Sequence, residues 1–167
     1  MIGTSSMVGN SGSANKPSHV SAFNYYEDGE YETAFRMFLE MAENGDVECQ
    51  SIVGKMFLAG EGTAANQEEA YFWFDRAALN HHVDAFVGLA AIADIRGDRN
   101  DAYQRIKAAA NGGNITGRYR LAVMYETGYL GKPDMVKAVR EYRRAADDWH
   151  LLAKTRLGLL AMTNCVP

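Results

Sequence analysis

Two adjacent histidines, His81 and His82, are the first residues in this 167-residue chain to invite a chemical reading. An imidazole can ligate a metal or serve as a general base, but it needs a second donor on its own face. Adjacent residues on a helix point in different directions. No HExxH-type spacing accompanies the pair, so it is read as part of a turn. Gly60-Glu61-Gly62 and Gly128–Gly131-Lys132 have the composition of phosphate-cradling loops. A P-loop needs GxxxxGK[ST] after a strand, whereas Lys132 is followed by Pro133 with no strand upstream. These glycines are therefore read as tight-loop or positive-φ positions. Cys49 and Cys165 are far apart and neither has a CxxC partner, which argues against a zinc site or a disulfide framework. Cys49 is expected to be a small buried residue. No Ser/His/Asp or Cys/His constellation assembles. Catalytic residues, a metal site and a cofactor are expected to be absent, and the chain is expected not to be an enzyme.

Two further clusters could contact a partner. Tyr71, Phe72, Trp73 and Phe74 are consecutive, so on a helix they cover the whole circumference; packing between helices is the expected role for most of them. Arg140–Arg144, with Arg118 and Arg120, forms a basic cluster countered by Glu141, Asp147 and Asp148, and is read as a solvated helix face. A net charge of −4 with 47% apolar residues suits a folded domain and argues against a general nucleic-acid binder. No run of about 18 apolar residues exists, so no membrane insertion is expected.

The elements that would position these residues are set by a repeat. Val53-Gly54, Leu89-Ala90, Leu121-Ala122 and Leu157-Gly158 recur at steps of 36, 32 and 36 residues. Ala34, Ala70, Ala102 and Ala138 follow the same ruler, each with a large apolar residue four positions on (Phe38, Phe74, Ile106, Tyr142). Such self-similarity identifies stacked helix pairs, because one pair alone buries too little apolar surface to fold. The fold expected is all-α: an α-solenoid of about four antiparallel helix pairs plus a terminal helix. A glycine in mid-helix costs about 1 kcal/mol relative to alanine, so Gly54 and Gly158 are expected to have a packing reason. Residues 1–20 are rich in Ser, Gly and Asn and are read as a disordered tail; residues 21–167 form one helical-repeat domain, opening with a helix over Ser21–Asp28. Asp46, His82, Asn114 and His150 fall at equivalent inter-unit positions, where Asp and Asn would cap the next helix.

The matched positions resemble the Sel-1-like repeat, a relative of the tetratricopeptide repeat. Val47, Cys49, Val53, Gly54, Met56, Phe57, Gly60 and Gly62 carry the first half of its motif, and Ala70, Trp73, Phe74, Arg76, Ala77 and Ala78 the second. Leu121, Met124, Tyr125, Gly128, Gly131, Asp134, Lys137, Ala138, Tyr142, Arg144, Ala145 and Ala146 repeat it. The middle unit departs: Gly97 to Ala102 is five residues, the tetratricopeptide spacing, against ten from Gly60 to Ala70. The resemblance covers roughly residues 21–163.

That resemblance implies a protein–protein interaction scaffold or adaptor, with an inner wall lined by the first helix of each pair. By similarity, its exposed inner positions are Glu48, Ser51, Lys55 and Leu58, then Asp84, Val87, Ala91 and Asp94, then Thr116, Tyr119, Val123 and Glu126. Their mixed apolar and acidic character suits a partner peptide or helix segment carrying some basic residues. Leu151–Met162 has no partner helix after it; either it packs in a way the register does not show, or it is a surface for self-association. An alternative is an immunity- or inhibitor-type protein with one dedicated partner. A β-lactam-interacting enzyme is the other alternative, but relatives linked to that chemistry carry a disulfide in each repeat, a pattern missing here. Cytoplasmic localisation is favoured, with a periplasmic or secreted one if residues 1–20 replace a removed signal peptide.

Overall fold

The computed structural model describes residues 17–162, and these form nine helices: α1 (His19–Glu27), α2 (Tyr31–Glu43), α3 (Val47–Ala59), α4 (Gln67–Leu79), α5 (Val83–Ile95), α6 (Arg99–Asn111), α7 (Ile115–Thr127), α8 (Met135–Asp147) and α9 (Leu151–Met162). Cys165 and residues 1–16 of the expected tail lie outside the described residues. Each helix packs on the next, and α5 also touches α3 and α7 directly. The odd-numbered helices therefore share one wall of the stack.

The helix ends follow local chemistry. Asp46, Asn114 and Asp134 accept backbone N–H groups of α3, α7 and α8 through their side chains, which satisfies donors that a helix start leaves unpaired. His150 does the same for α9, its Nδ1 accepting from the Ala153 N–H at 3.3 Å, whereas His82 makes no side-chain cap. The residues just before the inter-unit positions Asp46, His82, Asn114 and His150 take the left-handed conformation. Gly45 and Gly113 do so freely, but His81 (φ 61°) and Trp149 (φ 67°) adopt it with side chains. Ser18 starts α1 by accepting from the Ser21 N–H. His19 and Val20 thus belong to the first helix and not to the tail, two residues ahead of the expected boundary.

The repeat ruler is realised in the core. Ala34, Ala70, Ala102 and Ala138 are fully buried, and Phe38, Phe74, Ile106 and Tyr142 are buried between them. Val53, Leu89 and Leu121 are buried on the facing helices, while Leu157 on α9 is half-buried. Gly54 has the packing reason expected of it: a Cβ there would lie 2.9 Å from Cδ1 of Phe74. Gly158 does not, since no atom lies within 4 Å of a Cβ built there; no further helix pair follows α9 among the described residues to press on it. Trp73 is buried, Tyr71 half-buried and Phe72 exposed, so most of the aromatic run packs between helices. The arginines Arg140, Arg143 and Arg144 lie on a solvated face as expected, but one of the acids that counter them does not. Glu141 is buried and accepts from both Arg140 and Arg144, and Arg118 pairs with Asp148.

Candidate partner-binding groove

Two adjoining recesses open on the wall of odd-numbered helices. The larger, of about 680 Å³, is lined by Leu58, Val87 and Ala91, with Phe74 and Gly88 at its base and Ile115, Thr116 and Arg120 on its far side. The smaller, of about 280 Å³, lies toward α1, between Phe23, Tyr26 and Phe38 on one side and Ser51, Ile52 and Met56 of α3 on the other. Lys55 and Asp84 belong to both, with Nζ and Oδ2 4.0 Å apart, and form the partition between them. Asp84 is steadied from behind by Asn114, whose amide Nδ2 donates to Oδ1 while its Oδ1 caps α7.

The register places some of the expected inner residues here and not others. Lys55, Asp84 and Val87, with Leu58, Ala91 and Thr116, line the larger recess; Glu48 and Ser51, again with Lys55 and Asp84, line the smaller. Ser51 is nearly fully buried instead of exposed. The third unit's positions other than Thr116 are engaged inside the fold. Tyr119 stacks on His150 with ring centroids 4.5 Å apart, and Val123 packs against the buried cluster around Tyr142. Glu126 accepts from the Tyr142 hydroxyl at 2.6 Å and from Arg156 Nε at 3.1 Å, joining α7 to both α8 and α9. The Arg156 hydrogen bond, and then the Tyr142 one, hold its carboxyl below the usual range against the effect of burial. Asp94 accepts from the Tyr129 hydroxyl at the far end of α5.

Gly88 is one of several groove residues, Ile115 and Arg120 among them, that the inner-wall register did not reveal. Its repeat column reads Ile52, Gly88, Arg120, Arg156, so the missing side chain breaks the pattern and lets the buried Phe74 ring pack directly against α5 at the base of the larger recess. That departure from its own column is the sequence signal that marks it. A second group, His19, joins unexpectedly. Its Nε2 lies 2.7 Å from Asp46 Oδ2 and 3.6 Å from Cys49 Sγ, and the three donor atoms lie within 4.8 Å of one another. This trio sits at the α3 N-terminus, where the helix dipole disfavours a cation. Burial, aided by Asp46, pushes the Cys49 thiol up to about 12, so it is a protonated thiol at neutral pH. For Asp46, burial opposes ionisation, but the Cys49 N–H and His19 hydrogen bonds outweigh it and lower its carboxyl. The geometry is that of a hydrogen-bonded tie between α1 and α3.

The Sel1 repeat model matches residues 24–46, 47–82 and 116–148, more than half of the chain. The chain belongs to the Sel1 repeat family. Residues 83–115, which fall between the matched segments, hold the unit with tetratricopeptide-like spacing. Among solved structures, the chain is similar to a Sel1 repeat protein from Oxalobacter formigenes, at 24% identity and a TM-score of 0.73, covering 84% of this chain and 61% of that one. It is also similar to a protective antigen present in uropathogenic Escherichia coli strains displaying an SLR fold, at 24% identity and a TM-score of 0.68, covering 86% of this chain and 32% of that one. The chain thus spans less than two thirds of either protein. No curated protein matches the sequence. Sel1 and tetratricopeptide-like repeats generally mediate protein interactions, and the nine helices form such a repeat scaffold. Among the described residues, no helix is long and apolar enough to cross a membrane.

Proposed function

We propose that this Sel1 repeat scaffold is a non-catalytic adaptor that receives a segment of a partner protein along the wall of α3, α5 and α7. The observation that supports the reading is the pair of adjoining recesses, apolar at the base and rimmed by charge, in which Lys55, Asp84 and Val87 converge. Apolar pockets with a few placed polar groups are the usual form of a recognition site. The side chains lining them come from rigid helices, which hold the shape before a ligand arrives and so reduce the ordering cost of binding.

Selection from a displayed 12-residue peptide library tests this. Peptides that bind the wild-type chain should lose most of their affinity for Val87→Asp and Ala91→Glu, two variants that place charge in the larger recess. Circular dichroism checks that both variants keep the fold. Peptides that bind both variants as well as wild type would move recognition to another surface.

A second reading rests on α9, where Leu151, Leu152, Leu159 and Met162 are exposed beside an exposed Trp149. Exposed apolar side chains grouped on one helix suit self-association. A monomer by light scattering across the accessible concentration range would exclude it.

A further inference from the structure

We propose that the smaller recess is a subsite for one basic side chain, Arg or Lys, of the bound segment, with a bulky apolar side chain of the same segment seated in the larger recess beside it. This rests on the groove reading above and adds the chemistry of the ligand. One wall of the smaller recess is aromatic: Phe23 and Phe38 meet edge to face at 5.1 Å, and Tyr26 stands beside them. Its rim carries three carboxylates, Glu48, Glu61 and Asp84, against the single cation Lys55, which leans toward Asp84 at the partition. Tyr26 donates to Glu61 at 2.7 Å and fixes that carboxylate at the edge.

Ser51 and His82 also line the recess, but their unpaired Oγ and Nδ1 atoms are shut off from solvent, so the polar groups a guest meets are chiefly the rim carboxylates, which accept. The rim is rich in acceptors and short of donors. A guanidinium brings five N–H donors and an ammonium three, with a positive charge that aromatic faces attract. An acidic guest would meet three carboxylates. An aliphatic guest would leave that excess of negative charge without a counter-charge. The larger recess has the opposite bias: one carboxylate, two cations and a mostly apolar lining. Its shared wall with the smaller recess places the two guest side chains next to each other.

Two experiments with the full chain test this. First, a positional-scanning library of capped hexapeptides is bound to wild type and to Glu48→Gln/Glu61→Gln. The expected result is enrichment of Arg or Lys next to a bulky apolar residue, with that preference falling about tenfold or more in the double variant, because charge-assisted hydrogen bonds are lost. Second, acetyl-arginine amide is titrated into methyl-labelled wild-type protein. The Ile52 and Met56 methyls should shift, while those of Val87 stay in place. This readout needs no variant and stands even if the double variant fails to fold. Peptides that bind at the groove without a basic preference, or with one that survives the double variant, would overturn the subsite and leave the groove reading intact. No groove-dependent peptide at all would overturn both. Shifts at Val87 with none at Ile52 or Met56 would overturn the assignment of the two recesses.

Discussion

Replacing Gly88 by alanine adds one methyl group where α5 crosses the tip of the Phe74 ring. An ideal Cβ there lies 2.4, 2.5 and 2.6 Å from Cζ, Cε1 and Cε2, whereas carbon atoms in contact prefer about 3.5–4.0 Å. The ring must retreat by about an ångström. Phe74 is fully buried, and its proximal edge already faces Gly54, where a Cβ would stand 2.9 Å from Cδ1. Retreat is therefore blocked by α3. Overpacking of this kind costs about 1–3 kcal/mol, and alanine's better helix propensity returns about 1 kcal/mol. The expected net loss is about 0–2 kcal/mol, or up to roughly 8 °C in the thermal midpoint of a chain this size. Circular-dichroism melts of Gly88→Ala and Gly158→Ala, run side by side, separate the two effects. Gly158 has nothing within 4 Å, so Gly158→Ala should raise stability by about 1 kcal/mol. If Gly88→Ala raised stability by as much as Gly158→Ala does, the tight fit of Phe74 against α5 would be wrong.

Other outcomes follow from the same geometry. Glu126→Gln should weaken the α7–α9 junction by about 1–3 kcal/mol, seen as faster amide exchange in α9. Acid should do the same in wild type: a carboxyl lowered in the fold adds stability that is complete above its ordinary value of 4.5 and is lost as pH falls through the lower folded value. Cys49, fully buried with its thiol pushed up to about 12, should resist alkylation at pH 8 in the native state and react at once in denaturant, as peptide mapping would record. His81→Gly should be neutral or stabilising by up to about 1 kcal/mol, since relief of the left-handed conformation outweighs the added chain entropy; a clear loss of stability in a thermal melt would show that the His81 side chain holds the turn.

The sequence made the stack legible because burial there is enforced at a fixed spacing. Ala34, Ala70, Ala102 and Ala138 recur because each must admit a neighbouring helix, and the large residue four positions on must fill the gap left beside it. The inner wall was legible mainly in its first two units, with Thr116 from the third. Glu48, Lys55, Asp84 and Val87 face the recesses as the register requires. Tyr119 and Glu126 occupy equivalent register positions but are drawn away by particular neighbours, His150, Tyr142 and Arg156, up to 31 residues along the chain. Register gives the direction of a residue; it does not say whether an opposite charge waits on the next helix. Glu141 illustrates the same point, because its place between two arginines in sequence looks solvated while its carboxylate is buried. His19 was hidden for another reason: a serine- and glycine-rich stretch masks the cap at Ser18 that starts α1.

Photocrosslinking in the native organism addresses the central claim most directly. A benzophenone amino acid is placed at Ala91, in the larger recess, and separately at Val136, exposed on α8. The account predicts that Ala91 captures a partner polypeptide through a contiguous segment, identifiable by mass spectrometry, and that Val136 does not capture that segment. Capture of the same segment from Val136, with none from Ala91, would place recognition on the opposite side of the stack and contradict the groove.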